Sequence, residues 1–248
     1  MKLLSIDVGI KNLAYCLIEK KEKLTIIDWN IINLSNETTY QCKYCSKKAN
    51  YINNNIYCCK VHAKKAGFLK EDIKSIHNLN KQQLIALFSK KNVLCNTIHT
   101  KKKLVHLLKQ NIFTKIKKTN CNKINLIDIG KQIAVQFDKL FNHQAIDFVL
   151  IENQISKIAN RMKCIQGMIA QYFIMKHIYA IEFISSINKL KCIPTKQATY
   201  SDRKKSSIEF TTQYITKHQP DILTHFNTHN KQDDLADSFL QGLYYLNK

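Results

Sequence analysis

The chain predicts an α/β fold: a mixed β-sheet flanked by helices and interrupted by an inserted zinc-binding and helical module. Three observations predict it. Apolar, β-branched runs joined by short polar connections open the chain. From about residue 123 onward, segments of helical period alternate with buried strand-like runs. Between these two parts lies a stretch of different character, with clustered cysteines, many lysines and few acids. The expected division is therefore 1–34 and 123–248 for the main domain and 35–122 for the insertion. Within the insertion, 35–67 would bind zinc and 68–122 would form a basic helical segment.

Lys2–Val8, Leu13–Glu19 and Leu24–Ile32 read as strands, with Gly9 and Asn12 supplying the first turn. In the insertion, Gln83–Phe88 and Leu104–Leu108 have helical apolar spacing, with Lys90, Lys91, Lys101, Lys102 and Lys103 around them. Leu126–Phe141 suits a helix and Ile146–Glu152 a buried strand. Ala159–His177 has Met162, Ile165, Met168, Ile169, Tyr172 and Phe173 on one side of a helix. Ala180–Ser185 and Lys191–Ile193 read as extended, with Pro194 ending the second. Lys204–Lys217 reads as a helix stopping before Pro220, and Asp233–Leu246 as a last helix with Leu235, Phe239, Leu240, Leu243 and Leu246 inward.

A chain of 248 residues can bury one substantial core and carry a small accessory module. No apolar run reaches the ~18 residues that span a bilayer. Asp7 interrupts the N-terminal apolar run and no small-residue cleavage site follows, so the expectation is a soluble protein with no membrane partner. The net charge of +21 attracts polyanions. A/T-rich coding accounts for lysine in place of arginine, which occurs only at Arg161 and Arg203, but not for the shortage of acids. Nucleic acid is the expected partner. Nine cysteines are an odd number, and five are scattered, which argues for a reducing intracellular compartment and metal binding rather than disulfides.

The few acids stand where chemistry needs them. Asp7 and Glu152 each end an apolar run that ought to be buried, where an unpaired negative charge is costly. Asp234 and Asp237 share one face of the last helix, and so do Asp233 and Asp237. Which of Asp233 and Asp234 is the direct ligand stays open, and Asp233 could simply cap the helix. Converging carboxylates repel one another unless cations neutralise them. Magnesium prefers oxygen ligands, and two ions ~4 Å apart can activate water and stabilise the leaving oxygen of a phosphodiester.

Cys42 and Cys45 precede Cys58, Cys59 and His62 by a short Asn-rich loop, which is zinc-ligand spacing. Cys42, Cys45, Cys59 and His62 are the expected ligands of a structural zinc, with Cys58 as the rival third ligand.

Three motifs together carry a resemblance: Ile6-Asp7-Val8-Gly9-Ile10-Lys11-Asn12-Leu13-Ala14, Ile151-Glu152-Asn153-Gln154 with Arg161-Met162, and Lys231-Gln232-Asp233-Asp234-Leu235-Ala236-Asp237-Ser238. In this order and spacing they resemble the Holliday junction resolvases of poxviruses and other large DNA viruses, relatives of the fungal mitochondrial and bacterial RuvC resolvases. The resemblance implies a ribonuclease H-like fold, a homodimer and paired magnesium-dependent nicks in four-way DNA junctions, at the site of viral DNA replication. It implies that Asp7, Glu152, Asp234 and Asp237 hold two magnesium ions (or manganese), with Asp233 in support. Gln154, Arg161 and Lys231, beside the motifs, are candidates for phosphate contacts. Lys101, Lys102 and Lys103 lie in a stretch that resembles a small SAP-type DNA-binding motif. Actin-like ATPases share the Asp-x-Gly hairpin, but they need further glycine-rich turns, and this chain has five unclustered glycines. The remaining alternatives are a same-fold nuclease on RNA–DNA hybrids or other branched DNA, and a non-catalytic architectural protein.

Overall fold

The structure, a computed structural model, describes residues 1–35, 40–73, 78–90, 100–117, 120–154, 160–193 and 199–248. Lys91, Ala159 and Pro194 lie outside the described residues. The chain divides into two compact units: Met1–Asn36 with Thr119–Lys248, and Glu37–Lys118.

In the first unit, β1 (Lys2–Asp7), β2 (Leu13–Lys20) and β3 (Leu24–Ile32) form an antiparallel meander. Two parallel strands extend it beyond β1: β8 (Phe148–Asn153) and then β9 (Ile181–Ser185). The order β3-β2-β1-β8-β9 is the mixed sheet of a ribonuclease H-like fold. β1 is central and flanked by helices on both faces, so its apolar run is continuous rather than alternating. Leu3, Leu4, Ser5 and Ile6 are all fully buried.

Alternation along β1 sorts its side chains between two layers. Leu4 and Ile6 join a cluster with Ile129, Ile133 and Phe137 of α4 (Leu126–Phe141) and Ile165, Ile169 and Phe173 of α5 (Asn160–Met175). Leu3 joins the opposite cluster with Leu235, Phe239, Leu240 and Leu243 of α8 (Gln232–Leu246). Trp29 fastens β3 to the same helix: its indole N–H faces Leu235 O at 3.0 Å and Ser238 Oγ at 3.2 Å. Gly242 lets α8 approach closely, because a Cβ there would stand 2.6 Å from Ile18 Cδ1.

Three elements differ from the sequence expectation. Lys191–Ile193 is not extended; Asn188–Cys192 is a 3-10 turn. Leu190 and Ile193, three apart, both pack toward the α8 cluster, a spacing that the three-residue period serves. The helix expected from Lys204 is α6 (Tyr200–His218), started earlier by reciprocal capping between Thr199 and Asp202. A short unexpected helix, α7 (Leu223–Thr228), buries Phe226 in a stack on Trp29.

The second unit contains a four-stranded sheet, ordered β5-β4-β7-β6, with β4 (Tyr51–Asn53), β5 (Ile56–Cys58), β6 (Phe68–Leu69) and β7 (Ile112–Lys115). The Asn-rich loop is a hairpin turn: Asn54 and Asn55 have φ of 43° and 64°, which asparagine tolerates better than most residues. Among the described residues the unit also has three α-helices: α1 (Lys60–Ala66), α2 (Lys81–Ser89) and α3 (Lys101–Gln110). Tyr51, Leu69 and Phe113 share one small core with Cys58 and Ala63, so β7 joins a sheet begun some sixty residues earlier.

Candidate active site

Parity and register decide where the acids stand. Asp7 follows Leu3 and Ser5 on the α8 face of β1. Ile6 pairs with Ile151, so the next residues, Asp7 and Glu152, end neighbouring parallel strands side by side. Across from them, Asp234, Asp237 and Gln241 form one stripe of α8 at helical spacing. Gln241 anchors the stripe, donating to Ser5 Oγ and Ile6 O at 3.2 Å each. The result is a hollow of about 310 Å³ lined by Asp7, Glu152, Asp234 and Asp237.

The same hollow holds Lys189, Arg203 and Lys204, which sequence reasoning missed. Lys189 Nζ lies 2.6 Å from Asp237 Oδ2 and 3.5 Å from Glu152 Oε1, with its side chain only 12% exposed. Burial opposes its charge, but Asp7, Asp237 and Glu152 outweigh that and raise its pKa. Burial also pushes the Asp7 carboxyl well above the ordinary carboxylate range, and Glu152 beside it pushes further, while Lys189 pulls back. Asp237 is raised by burial against the pull of Lys189. Asp234 is raised by burial and by the charge of Asp233. Asp233 goes the other way: burial opposes ionisation, but Lys204 at 2.5 Å, helped by Lys231, holds the carboxyl low. Asp233 is thus occupied by a lysine, whereas Asp234 lines the hollow.

One atom stands out. Asp234 Oδ2 is buried with no hydrogen bond, and Lys231 Nζ lies 3.7 Å away. A buried carboxylate oxygen left under-satisfied by protein, on a residue that lines a hollow with other carboxylates, is the kind of donor that a hard divalent cation takes. Among the described residues, no three of these carboxylates meet within 4.8 Å; the Lys189 ammonium stands between Glu152 and Asp237.

The remaining candidates sit as follows. Gln154 donates its amide N–H to Glu152 Oε2 at 3.0 Å, and its backbone N–H is held by Gln166 Oε1 at 2.9 Å. Arg161 donates to the Ile124 carbonyl, and its Nε is buried without a partner. Lys101, Lys102 and Lys103 are exposed on the first turn of α3 in the other unit.

In that unit Cys42, Cys45, Cys59 and His62 bring their ligand atoms within 4.8 Å of one another. Cys42 Sγ and Cys59 Sγ each lie 3.4 Å from His62 Nδ1, and Cys45 Sγ lies 3.9 Å from Cys59 Sγ. A tetrahedral zinc with ~2.3 Å bonds to sulfur gives ligand–ligand edges of ~3.8 Å. Cys59 caps α1 and His62 follows three residues on, which brings both to one end of that helix. Cys58 pairs with Tyr51 and is fully buried in the core, so it is not part of the cluster. Burial alone would raise the Cys42 thiol, but N–H groups of Cys59 and Tyr44, with His62 and Cys45, draw it down to about 6. A thiol that ionises near neutrality is prepared for a metal.

A mixed sheet of this order, with Asp7 and Glu152 side by side on neighbouring parallel strands, is a ribonuclease H-like arrangement. Two protein families match the chain: Poxvirus A22 protein over residues 91–248, and Mitochondrial resolvase Ydc2 / RNA splicing MRS1 over residues 3–168. An uncharacterized protein of Acanthamoeba polyphaga mimivirus is 28% identical over 311 residues, covering 99% of this chain and 74% of that protein. Among solved structures, the Fowlpox virus resolvase in complex with substrate Holliday junction DNA is similar at 16% identity and a TM-score of 0.47, covering 100% of this chain and 97% of that one. The yeast mitochondrial Holliday junction resolvase Ydc2 is similar at 15% identity and a TM-score of 0.48, covering 98% and 78%. The chain belongs to the family of the poxvirus A22 protein and the mitochondrial resolvase Ydc2. Membership makes it a junction-resolving endonuclease. Among the described residues no helix is long and apolar enough to cross a membrane.

Proposed function

We propose that the acid-lined hollow is where the chain cuts four-way DNA junctions, with Asp7, Glu152, Asp234 and Asp237 holding two magnesium ions. The observation that carries this reading is the convergence of carboxylates from three distant segments on one hollow, with Asp234 Oδ2 left under-satisfied. Magnesium, or manganese in its place, would supply activated water and charge stabilisation of the leaving oxygen. The chain's own residues do the rest. Asp233 and Lys204 form a supporting pair that fixes the start of α8. Gln154 orients Glu152 from one side. Lys189 keeps the crowded carboxylates together and, with Arg203 and Lys231, meets phosphate oxygens of the cut strand. Arg161, held by the Ile124 carbonyl, would meet the DNA backbone outside the hollow.

The second unit, in this reading, is a zinc-stabilised substrate-engagement module inserted at 35–122 in a catalytic domain of 1–34 and 123–248. Cys42, Cys45, Cys59 and His62 are the zinc ligands, and Lys101, Lys102 and Lys103 contact phosphates without reading sequence. The working protein is a homodimer that makes symmetric nicks, in the reducing compartment where viral DNA replicates.

The test is cleavage of a labelled synthetic four-way junction with magnesium, beside linear duplex and RNA–DNA hybrid, for the wild type and Asp7→Asn. The expected result is paired symmetric nicks in the junction, lost in the variant by at least about a hundredfold. Preferential cutting of the hybrid would keep the site and overturn the substrate. Tight junction binding by a folded wild type without any cut would overturn catalysis.

A further inference from the structure

Residues 40–66, which carry the cysteine cluster, contain six lysines and no acid. Such a surface attracts phosphate, but phosphate does not account for its exposed apolar side chains. Tyr44 is 52% exposed and Val61 57%, and each is the immediate neighbour of a cluster residue, Cys45 and His62. The Tyr44 ring leans on the His62 ring, with centroids 5.5 Å apart at 50°. Nearby in the chain, Tyr40 and Tyr57 stack with centroids 3.8 Å apart and planes 8° from parallel, both half-buried. Backbone bonds join these parts into one piece: Lys43 N–H donates to Tyr57 O at 2.9 Å, and Ala49 N–H donates to Tyr40 O at 2.8 Å.

In the fold this segment meets two acids, Glu71 at the Tyr51 hydroxyl and Asp72 beside Lys64. Flat aromatic faces on a surface with such a surplus of lysines fit one kind of ligand. Paired bases in a duplex are stacked on their neighbours and present only edges in the grooves. An unpaired base offers a free π-face to stack on a ring, while its phosphate meets the cations. A protein partner of matching charge would have to be strongly acidic, and would gain little from the tyrosine ring faces.

We propose that the module carries a stacking site for unpaired nucleotides, with Tyr44 as its platform, the Tyr40–Tyr57 pair as a second, and Lys43, Lys47 and Lys60 meeting the backbone. It rests on the reading that this chain works on DNA, and adds that the module holds single-stranded nucleotides such as those at a branch point. Lys43, Lys47 and Lys60 are all exposed. The rigid zinc-ligand framework behind Tyr44 lets its ring be held in place before the base arrives, so little ordering cost is left for binding.

The test uses the full chain loaded with zinc and a fluorescein-labelled 20-nucleotide oligo-dT, followed by anisotropy. Two controls keep the phosphates: an abasic oligonucleotide of the same length and a blunt duplex. The wild type is expected to bind oligo-dT about tenfold more tightly than the abasic strand. Tyr44→Leu, which keeps apolar bulk without the ring, is expected to remove most of that difference. It should leave duplex binding and zinc content unchanged. Equal wild-type affinity for the oligo-dT and abasic strands would overturn the proposal without any variant. An unchanged preference in Tyr44→Leu would overturn the role of that ring. Junction cleavage measured on the same preparation separates the two readings, since a wild type that cuts junctions but shows no preference for oligo-dT over the abasic strand sinks only this one.

Discussion

The two units set their polar clusters on different foundations. The acid-lined hollow of the first unit rests on two apolar clusters of nineteen and sixteen buried residues. The cysteine cluster of the second belongs to a core of seven, three of which are cysteines, beside another of five. Charge divides the same way. Residues 37–118 hold eighteen lysines against three acids, so a third of the chain supplies +15 of the net +21. A large core can afford a repulsive site, whereas a small basic module has little apolar burial to offset its own repulsion, which a metal on the proposed ligands would supplement.

The largest expected effect breaks the comparison at its weaker side. Binding of structural zinc contributes roughly 10–16 kcal/mol in small zinc modules, far more than a core of this size. Stripping zinc with a chelator, or Cys42→Ser, should therefore unfold the second unit alone. Trp29, the single tryptophan, is buried in the first unit and reports only on it. Amide exchange should rise across β4, β5 and α1 while Trp29 fluorescence and its thermal transition stay put. If both units unfold together, they are not independent and the comparison fails.

The next effect concerns the repulsion in the first unit. Asp7, Asp234 and Asp237 have raised pKa values in the folded protein, so folding takes up protons there. With divalent cations chelated, the share of the Trp29-monitored stability that these three set should be highest in acid, against the opposite share of Asp138, Asp202 and Asp233, whose carboxyls are held low. It should fall as pH climbs from the unfolded carboxyl value near ~3.9 through the raised folded ones. Magnesium should reverse the fall by binding the carboxylates. Asp7→Asn should raise Tm at pH 8 by about 2–4 °C for each kcal/mol relieved, and should blunt the response to magnesium. A variant less stable than wild type at pH 8 would mean that Asp7 is well compensated and the hollow is not strained.

Lys189→Met sharpens the same point from the other charge. It removes the ammonium shared by Glu152 and Asp237, and up to about 3 kcal/mol of stability at neutral pH with it. The lysine's folded pKa is raised, so its contribution is complete below the unfolded value near ~10.4 and lost only above it. The loss in the variant should shrink toward pH 4, where the carboxyls take up protons themselves. Thermal melts at pH 4 and pH 8 decide it; an equal loss at both would assign Lys189 a packing role.

The acids were legible in the sequence because each broke a local rule: Asp7 and Glu152 end buried runs, and Asp234 and Asp237 repeat at helical spacing. The lysines that complete the site were not. In a chain with thirty-seven lysines, Lys189, and Lys204 with its neighbour Arg203, carry no local signal. Lys189 lies between the two segments expected to be extended, in a 3-10 turn, Asn188–Cys192, that the sequence did not signal. The expected strands and helices of the first unit followed from long periodic runs. The sheet of the second was hidden, since β4 and β5 are three residues each and β7 pairs with β4 from far along the chain. Asn54 and Asn55 were the available signal, an Asn pair between two short apolar runs that marks a hairpin.

The smallest effect tests how tightly the first unit's foundation fits its site. Gly242 sits where α8 crosses β1 and β2, one residue past Gln241, whose amide holds the helix to Ser5 and Ile6. A methyl there would meet the tip of Ile18 at 2.6 Å, with Leu3 and Ser5 at 3.2 Å. Alanine favours the helix by about 1 kcal/mol, and overpacking costs about 1–3 kcal/mol, so the net for Gly242→Ala should be a modest destabilisation. The Ile18 tip can turn aside, but the 3.2 Å contacts to the neighbouring strand leave α8 to shift outward by a few tenths of an ångström. That shift carries Asp234 and Asp237 with it. The variant should keep its fold and zinc and show a weaker magnesium response of Tm than wild type. A stabilised variant with an unchanged magnesium response would show that α8 has slack, and that the spacing of the acids is set elsewhere.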